Sequence, residues 1–186
     1  MRTRYPLIGF GHRAQVGKDT AGIACGASFI FSFADTIRTL AYRLNPYLVD
    51  EENNRVYRLA EGVDRLGWEK AKKIESIRYF LQELGTGTRE IVSPNIWITP
   101  VISRAQVRIK NNHSVAITDV RFPNEAEAIK QAGGLMVRID RSDVPVLNHP
   151  SESALDSWDD WDLVINNEGS LDDFRQEVRA ALSDGS

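Results

Sequence analysis

Short apolar runs alternate with stretches that are apolar at helical spacing along almost the whole chain. Leu7 to Phe10 reads as a first strand, and Phe29-Ile30-Phe31-Ser32-Phe33 as a second. Val115 to Thr118, Leu135 to Ile139 and Leu163 to Ile165 read as three more. Between them the spacing predicts helices. One runs from Lys18 to about Ala27. A second runs from Asp35 to Leu44, with Ile37, Leu40, Ala41 and Leu44 on one face and Pro46 as its stop. A long third runs from Trp68 to Leu84 and ends at Gly85-Thr86-Gly87. A fourth covers Ile96 to about Arg108. A fifth covers Pro123 to Ala132, with proline at the first helical position and Gly133-Gly134 as its close. Ser170-Leu171-Asp172-Asp173 resembles a capping box and opens the last helix. Val49 to Gly67 is polar and charged with no clear period, and reads as an excursion or small lid.

Strands that alternate with helices pair in parallel, with helices on both faces. The expected fold is therefore α/β: a three-layer sandwich around a five-stranded parallel sheet. We expect one domain over residues 1–186, with an excursion around 45–67 and a lid segment around 140–158. In such a sheet ligands bind at the carboxyl ends of the strands. That rule selects the loop after the first strand, Ala34-Asp35, Asp119-Val120-Arg121, Asp140-Arg141 and Asn166 to Gly169.

The loop after the first strand carries the sharpest chemistry. Gly11 to Thr20 reads Gly-His-Arg-Ala-Gln-Val-Gly-Lys-Asp-Thr. Gly17 lets the backbone approach an anion, Lys18 supplies a point charge for phosphates, and the amides of Val16 to Thr20 point at the same place. This is a phosphate loop of the P-loop NTPase kind, with two departures. His12 stands at the first-glycine place, one residue after Gly11, and Asp19 stands where a hydroxyl is usual, with Thr20 next to it. Asp19, Thr20 or both are therefore candidates for holding magnesium. A strand-turn-helix with a solvated lysine is the plain alternative. A rival reading takes Gly9, Gly11 and Ala14 as a dinucleotide fingerprint, with Asp35 as its acidic partner, in a nicotinamide-binding oxidoreductase.

Composition narrows the classes. With a net charge of −3 and a pI near 5.7, a large non-specific nucleic-acid surface is not expected, though a local basic site is compatible. A single cysteine, Cys25, excludes an intramolecular disulfide and a cysteine-based metal site, and reads as a small buried residue. Neither His113 nor His149 has a second ligand at zinc spacing. No apolar stretch is long enough for a signal peptide or a membrane span, so a cytoplasmic protein is expected, without membrane or nucleic-acid partners. Trp68, Trp97, Trp158 and Trp161 read as packing residues.

Asp119 ends an apolar strand after the phosphate loop, where a carboxylate holds magnesium through water in phosphoryl-transfer enzymes. Arg121, two residues on, can present a planar fork to a phosphate. A local ion pair at a helix start is the alternative. Arg78 and Gln82 lie one turn apart on one helix face; a solvated arginine explains Arg78 equally well from spacing alone.

These residues carry a resemblance. Gly17-Lys18-Asp19-Thr20, Arg78 to Thr86 with Trp97, Asp119 to Glu125 with Gly133-Gly134, Val137 to Arg141, His149 to Glu152 and Asp162 to Ser170 resemble, in this order, blocks of the bacteriophage deoxynucleoside monophosphate kinases. The resemblance runs from about Leu7 to Phe174 and thins between Val49 and Gly67. It implies transfer of the γ-phosphoryl of ATP to a deoxynucleoside monophosphate on a P-loop kinase fold, with Mg²⁺. By position it implies Lys18 and the loop amides on the ATP phosphates, and Asp19, Thr20 and Asp119 around magnesium. Arg78 and Arg121 would hold the acceptor phosphate or the moving group. Arg141 would be a lid arginine on ATP, and Asn167 and Gly169 the adenine loop. Ser151 and Glu152 would contact the acceptor or order the lid, and Asp35 and Gln82 would shape the acceptor pocket. Members of the family often pair, so a homodimer is an expectation with no separate signal in the sequence. A P-loop kinase for another small acceptor, such as dephospho-coenzyme A, and a P-loop protein that binds nucleotide without turnover stay open as alternatives.

Overall fold

The computed structural model describes residues 3–50, 54–144 and 153–183. The strands are β1 (Leu7–Gly11), β2 (Phe29–Phe31), β3 (Tyr47–Asp50), β4 (Arg55–Arg58), β5 (Val115–Val120), β6 (Leu135–Asp140) and β7 (Leu163–Asn166). The helices are α1 (Lys18–Ala24), α2 (Phe33–Leu44), α3 (Leu59–Leu66), α4 (Trp68–Ala71), α5 (Glu75–Ile91), α6 (Ile98–Lys110), α7 (Pro123–Gln131) and α8 (Leu171–Leu182). The chain divides into two compact units, Met1–Phe33 with Ile98–Ser186, and Ala34–Trp97.

The first unit holds the five predicted strands in one sheet, in the order β2-β5-β1-β6-β7. Every pairing in it is parallel. All five residues of β1 are buried, as expected of a strand flanked on both sides and covered on both faces. Alternation sorts them. Leu7 joins a cluster with Ile98, Val101, Ile117 and Ile129, which α6 and α7 cover. Ile8 and Phe10 join the opposite cluster, with Ala21, Phe174 and Val178 from α1 and α8. Each large apolar side chain buried this way contributes about 1.5–3 kcal/mol, and together they make the three layers. The strand order reverses beside β1: β2 and β5 lie on one side and β6 and β7 on the other. Ligand crevices form at such a reversal, beyond the carboxyl ends of the strands.

The second unit is built on its own core of Ala41, Leu48, Tyr57, Leu59, Val63, Ala71 and Ile77, with Trp68, Phe80 and Leu84 packed on it. The stretch without period resolves into structure here. β3 and β4 form an antiparallel hairpin in which only Leu48 and Tyr57 turn inward, and α3 follows directly. So short an alternation hides in a polar composition.

Several boundaries differ from expectation. The second strand stops at Phe31, and Phe33 already opens α2. α1 ends at Ala24, three residues early, and α6 begins at Ile98. The long helix is two helices, with a turn over Lys72 and Lys73 between α4 and α5. Gly85 and Gly87 do not end α5, which continues to Ile91. A helical glycine costs about 1 kcal/mol against alanine, and Gly85 has packing to offset it. Its missing side chain leaves room for Ile37, and its carbonyl accepts from Trp97 Nε1 at 3.0 Å. Of the segment expected as a lid around 140–158, residues 145–152 lie outside the described residues, while Leu155 is 2% exposed within the core of the first unit.

Candidate active site

The loop between β1 and α1 is kinked three times by positive φ, at His12 (96°), Gln15 (62°) and Gly17 (108°). For His12 and Gln15 such a backbone costs about 1–3 kcal/mol each, the size of strain that recurs at ligand-binding loops. His12 occupies the place where a phosphate loop has its first glycine, and its φ shows why glycine is usual there. Gly17 is needed twice over. Its φ suits glycine, and a Cβ would meet Asn167 Nδ2 at 2.7 Å and the Phe174 ring at 3.1 Å.

Lys18 is 7% exposed, so its ammonium must find acceptors inside the protein. It donates to the carbonyl oxygen of His12 at 2.9 Å and to that of Arg13. The charge is thus folded back into the hollow of its own loop. The N-cap of α1 is Gly17, which has no side chain to cap the helix start.

Asp19, in the first turn of α1, is exposed and accepts the Thr118 hydroxyl at 2.8 Å. Thr20 is half-buried beside it. Asp119 was expected to hold magnesium through water, with a local ion pair as the alternative. Its Oδ1 accepts the Phe33 amide at 2.8 Å and its Oδ2 the Ser32 hydroxyl at 2.6 Å, so it fixes the corner from β2 into α2. Arg121 sits at the turn into α7, where buried Glu125 accepts its amide at 2.8 Å and that of Phe122 at 3.1 Å. Among the described residues no group of three or more His, Cys, Asp or Glu side chains is placed to hold a metal ion. An Asp19 carboxylate oriented by Thr118 does suit a hard cation such as magnesium, which binds proteins through one or two carboxylates and the substrate phosphates.

At the carboxyl ends of β1, β6 and β7, a cleft of about 210 Å³ is lined by His12, Arg13, Arg138, Asp140, Arg141 and Glu168 among others. Arg141 is engaged by both oxygens of Asp143. That pairing pushes the guanidinium pKa up and holds the Asp143 carboxyl below its usual range. Glu168 accepts the Ser142 amide at 2.8 Å and hydroxyl at 2.7 Å, and so closes the end of the cleft. Asn167 was expected in the adenine loop. It is 6% exposed, and its side-chain amide donates to the Val16 carbonyl at 2.8 Å. Gly169 lies at the start of α8, where a Cβ would crowd Asp173 at 3.3 Å.

In the second unit, Arg78 and Gln82 line a cleft of about 800 Å³ with Arg65, Lys73 and Tyr79 among others. Arg65 and Lys73 were not foreseen, because nothing in the sequence sets them apart from the charged residues around them. Arg78 is exposed, 3.7 Å from Glu75. Asp35, in the first turn of α2, pairs with Arg38 at 3.5 Å. Ser151 and Glu152 lie outside the described residues.

The fingerprint reading of Gly9 and Gly11 finds no support. Side chains there would strike Met136 Sδ at 2.5 Å and Trp161 Cη2 at 2.8 Å, so both glycines serve packing. A buried lysine folded into a kinked loop, at the carboxyl end of the central strand of a parallel sheet, marks the candidate site of this α/β protein. The deoxynucleotide monophosphate kinase profile matches residues 27–178, and the chain belongs to that family. The match begins beyond the loop. A protein of Acanthamoeba polyphaga mimivirus, provisionally named a deoxynucleotide monophosphate kinase, is 38% identical over 80 residues, 42% of each chain. The uncharacterized protein ORF77 of Ictalurid herpesvirus 1 is 34% identical over 95 residues, 48% of this chain and 41% of its own. The chain thus spans about two fifths of the length of these curated relatives. Dephospho-CoA kinase from Campylobacter jejuni superposes with a TM-score of 0.49 at 18% identity, over 95% of both chains. Shikimate kinase from Acinetobacter baumannii does so at 0.46 and 17%, over 95% of this chain and 92% of its own. Among the described residues no helix is long and apolar enough to cross a membrane.

Proposed function

We propose that this chain transfers the γ-phosphoryl group of ATP to a deoxynucleoside monophosphate, giving ADP and the diphosphate. The observation that carries the reading is Lys18, a buried ammonium held by two carbonyls of its own loop. An incoming triphosphate replaces those weak acceptors with charged ones, and the kinked backbone of residues 12–17 wraps it. Family membership supports the choice of acceptor.

The acceptor's phosphate oxygen is already nucleophilic at neutral pH, so no strong general base is required. Catalysis is positioning and neutralisation of charge on the moving group. Arg78 and Gln82, in a cleft that also offers Arg65 and Lys73, are assigned to the acceptor's phosphate. Arg121 is assigned to the transferring group, and Arg141 to ATP once it exchanges Asp143 for phosphate. Mg²⁺ supplies charge neutralisation on the ATP phosphates, with Asp19 as the first candidate to hold it and Thr20 beside it. Asp119, already committed to Phe33 and Ser32, would act through water. Asn167 is assigned to holding the loop, not the adenine.

The test is product analysis. The protein is incubated with ATP and each of the four deoxynucleoside monophosphates, with dephospho-coenzyme A as a control acceptor. A diphosphate from at least one deoxynucleotide, and none from the control, supports the reading. ATP turnover with no acceptor specificity contradicts it.

A further inference from the structure

We propose that His12 is a positioning residue for Lys18, and that the charge on its ring, shared between Asp140 and Asp156, couples ATP affinity to pH. The inference rests on the reading of Lys18 as the triphosphate lysine.

His12 is 7% exposed at a position where a phosphate loop usually has no side chain at all. Its Nδ1 lies 2.8 Å from Asp140 Oδ1, an ion-pair distance without hydrogen-bond alignment, and its Nε2 lies 3.3 Å from Asp156 Oδ1. Asp140 ends β6, and Asp156 lies in the segment before β7, so the ring ties the loop to two other parts of the first unit. Two arginines face the same carboxylates. Arg13 Nη2 is 3.0 Å from Asp156 Oδ2, and Arg138 Nε is 2.7 Å from Asp140 Oδ1. Burial pushes the Asp156 carboxyl up, but Arg13 and His12 together bring it below the usual range.

A neutral imidazole has one N–H and one lone pair, so it can attract only one of two carboxylates. The imidazolium attracts both. Loss of its proton sets a lone pair against a carboxylate oxygen, and the ring loses half its hold. The carbonyl of this same residue accepts the Lys18 ammonium at 2.9 Å. A residue held by its ring at φ 96° fixes the direction of that carbonyl, and with it the place of the ammonium. The sign follows: the charged ring favours the binding-ready loop, and ATP affinity falls as pH rises through the ring's titration.

The experiment measures ATP binding by calorimetry from about pH 5.5 to 8.5, the range where histidine switches occur, for wild type, His12→Asn and Asp156→Asn. Asparagine tolerates positive φ, so the loop path is kept. The ¹⁵N signals of the ring are followed in the unliganded wild type. ATP's own ionisation acts on all three proteins and cancels in affinity ratios. The wild-type to His12→Asn ratio is expected to fall about fivefold with rising pH, the size of one exposed-to-buried charge contact. Its midpoint should coincide with that of the ring titration, and Asp156→Asn should flatten the dependence. A ratio that is flat with pH, or an Asp156→Asn profile like wild type, overturns the coupling. So does a drop in thermal stability of His12→Asn with no change in affinity, which marks a merely structural residue. Absence of ATP binding by wild type at every pH overturns the reading of the site along with it; normal binding beside a ring that never carries two protons overturns the coupling alone.

Discussion

The side-chain amide of Asn167 donates to the carbonyl oxygen of Val16 at 2.8 Å, joining the end of β7 to the phosphate loop across 151 residues of sequence. The contact is buried, and the same Asn167 amide group closes over Gly17, which has no side chain to obstruct it. Asn167→Ala leaves the Val16 carbonyl without this donor, at a cost of about 1–3 kcal/mol. ATP affinity is expected to fall roughly tenfold. Calorimetric titration with ATP checks this, and unchanged affinity would remove Asn167 from the account of the loop.

Arg78 lines the large cleft of the second unit together with Gln82. Arg78→Ala is expected to raise the KM for the deoxynucleoside monophosphate at least about tenfold, the scale of one lost charged hydrogen bond. ATP affinity should be unaffected. Initial-rate kinetics with both substrates varied separates the two, and equal damage to ATP binding would contradict the assignment.

Gly22 lets α1 lie directly on β5. A Cβ there would run into Thr118 Cγ2, and Thr118 is itself fixed by its bond to Asp19. Gly22→Ala gains helix propensity but forces the helix off the sheet, with an expected net loss of about 1–3 kcal/mol. Urea unfolding measures it. A more stable variant would show that α1 can retreat at no cost.

These relationships also show what was legible in the sequence. The five sheet strands were, because each is a short apolar run, although only the inner strands β5, β1 and β6 are largely buried and the edge strands β2 and β7 expose Ile30 and Val164. Pro123 at the start of α7 and Ser170 at the start of α8 were, because capping chemistry is local; the Ser170 hydroxyl accepts the Asp173 amide at 3.2 Å. The kinked loop between β1 and α1 was legible from Gly17 and Lys18. The hairpin of β3 and β4 was not, since only Leu48 and Tyr57 turn inward and the remaining positions are polar or exposed. Nor was the continuation of α5 through Gly85 and Gly87, which depends on Trp97 and Ile37 packing from elsewhere in the second unit. In the candidate site, composition pointed to Asp119 and Asn167 as polar residues at strand ends. What each does depends on partners far away in sequence, Phe33 and Val16, that no spacing rule reveals.

Asp162 ties the starts of β6 and β7 together. Its carboxylate accepts the Met136 amide at 2.7 Å and the Lys130 ammonium at 2.7 Å. Burial raises its pKa, but those two donors outweigh burial and leave it below the usual carboxylate value. A depressed folded value means the stabilisation is present above the unfolded value of about 3.9 and is lost as pH falls through the folded one. Asp162→Asn is therefore expected to cost about 1–2 kcal/mol at neutral pH. The gap to wild type should close in acid, as pH falls through the folded value. Urea unfolding at neutral and at acid pH tests this, and a gap that widens in acid would reverse the sign.

The central claim is that Lys18 faces the phosphates that are transferred. The most direct measurement compares the turnover of wild type and Lys18→Ala in a coupled assay with ATP and the preferred deoxynucleoside monophosphate, alongside circular dichroism of both. The expected result is a rate at least about a hundredfold lower, the scale of removing one main electrostatic donor, in a protein with an unchanged spectrum. Turnover of the folded variant close to that of wild type would contradict the account.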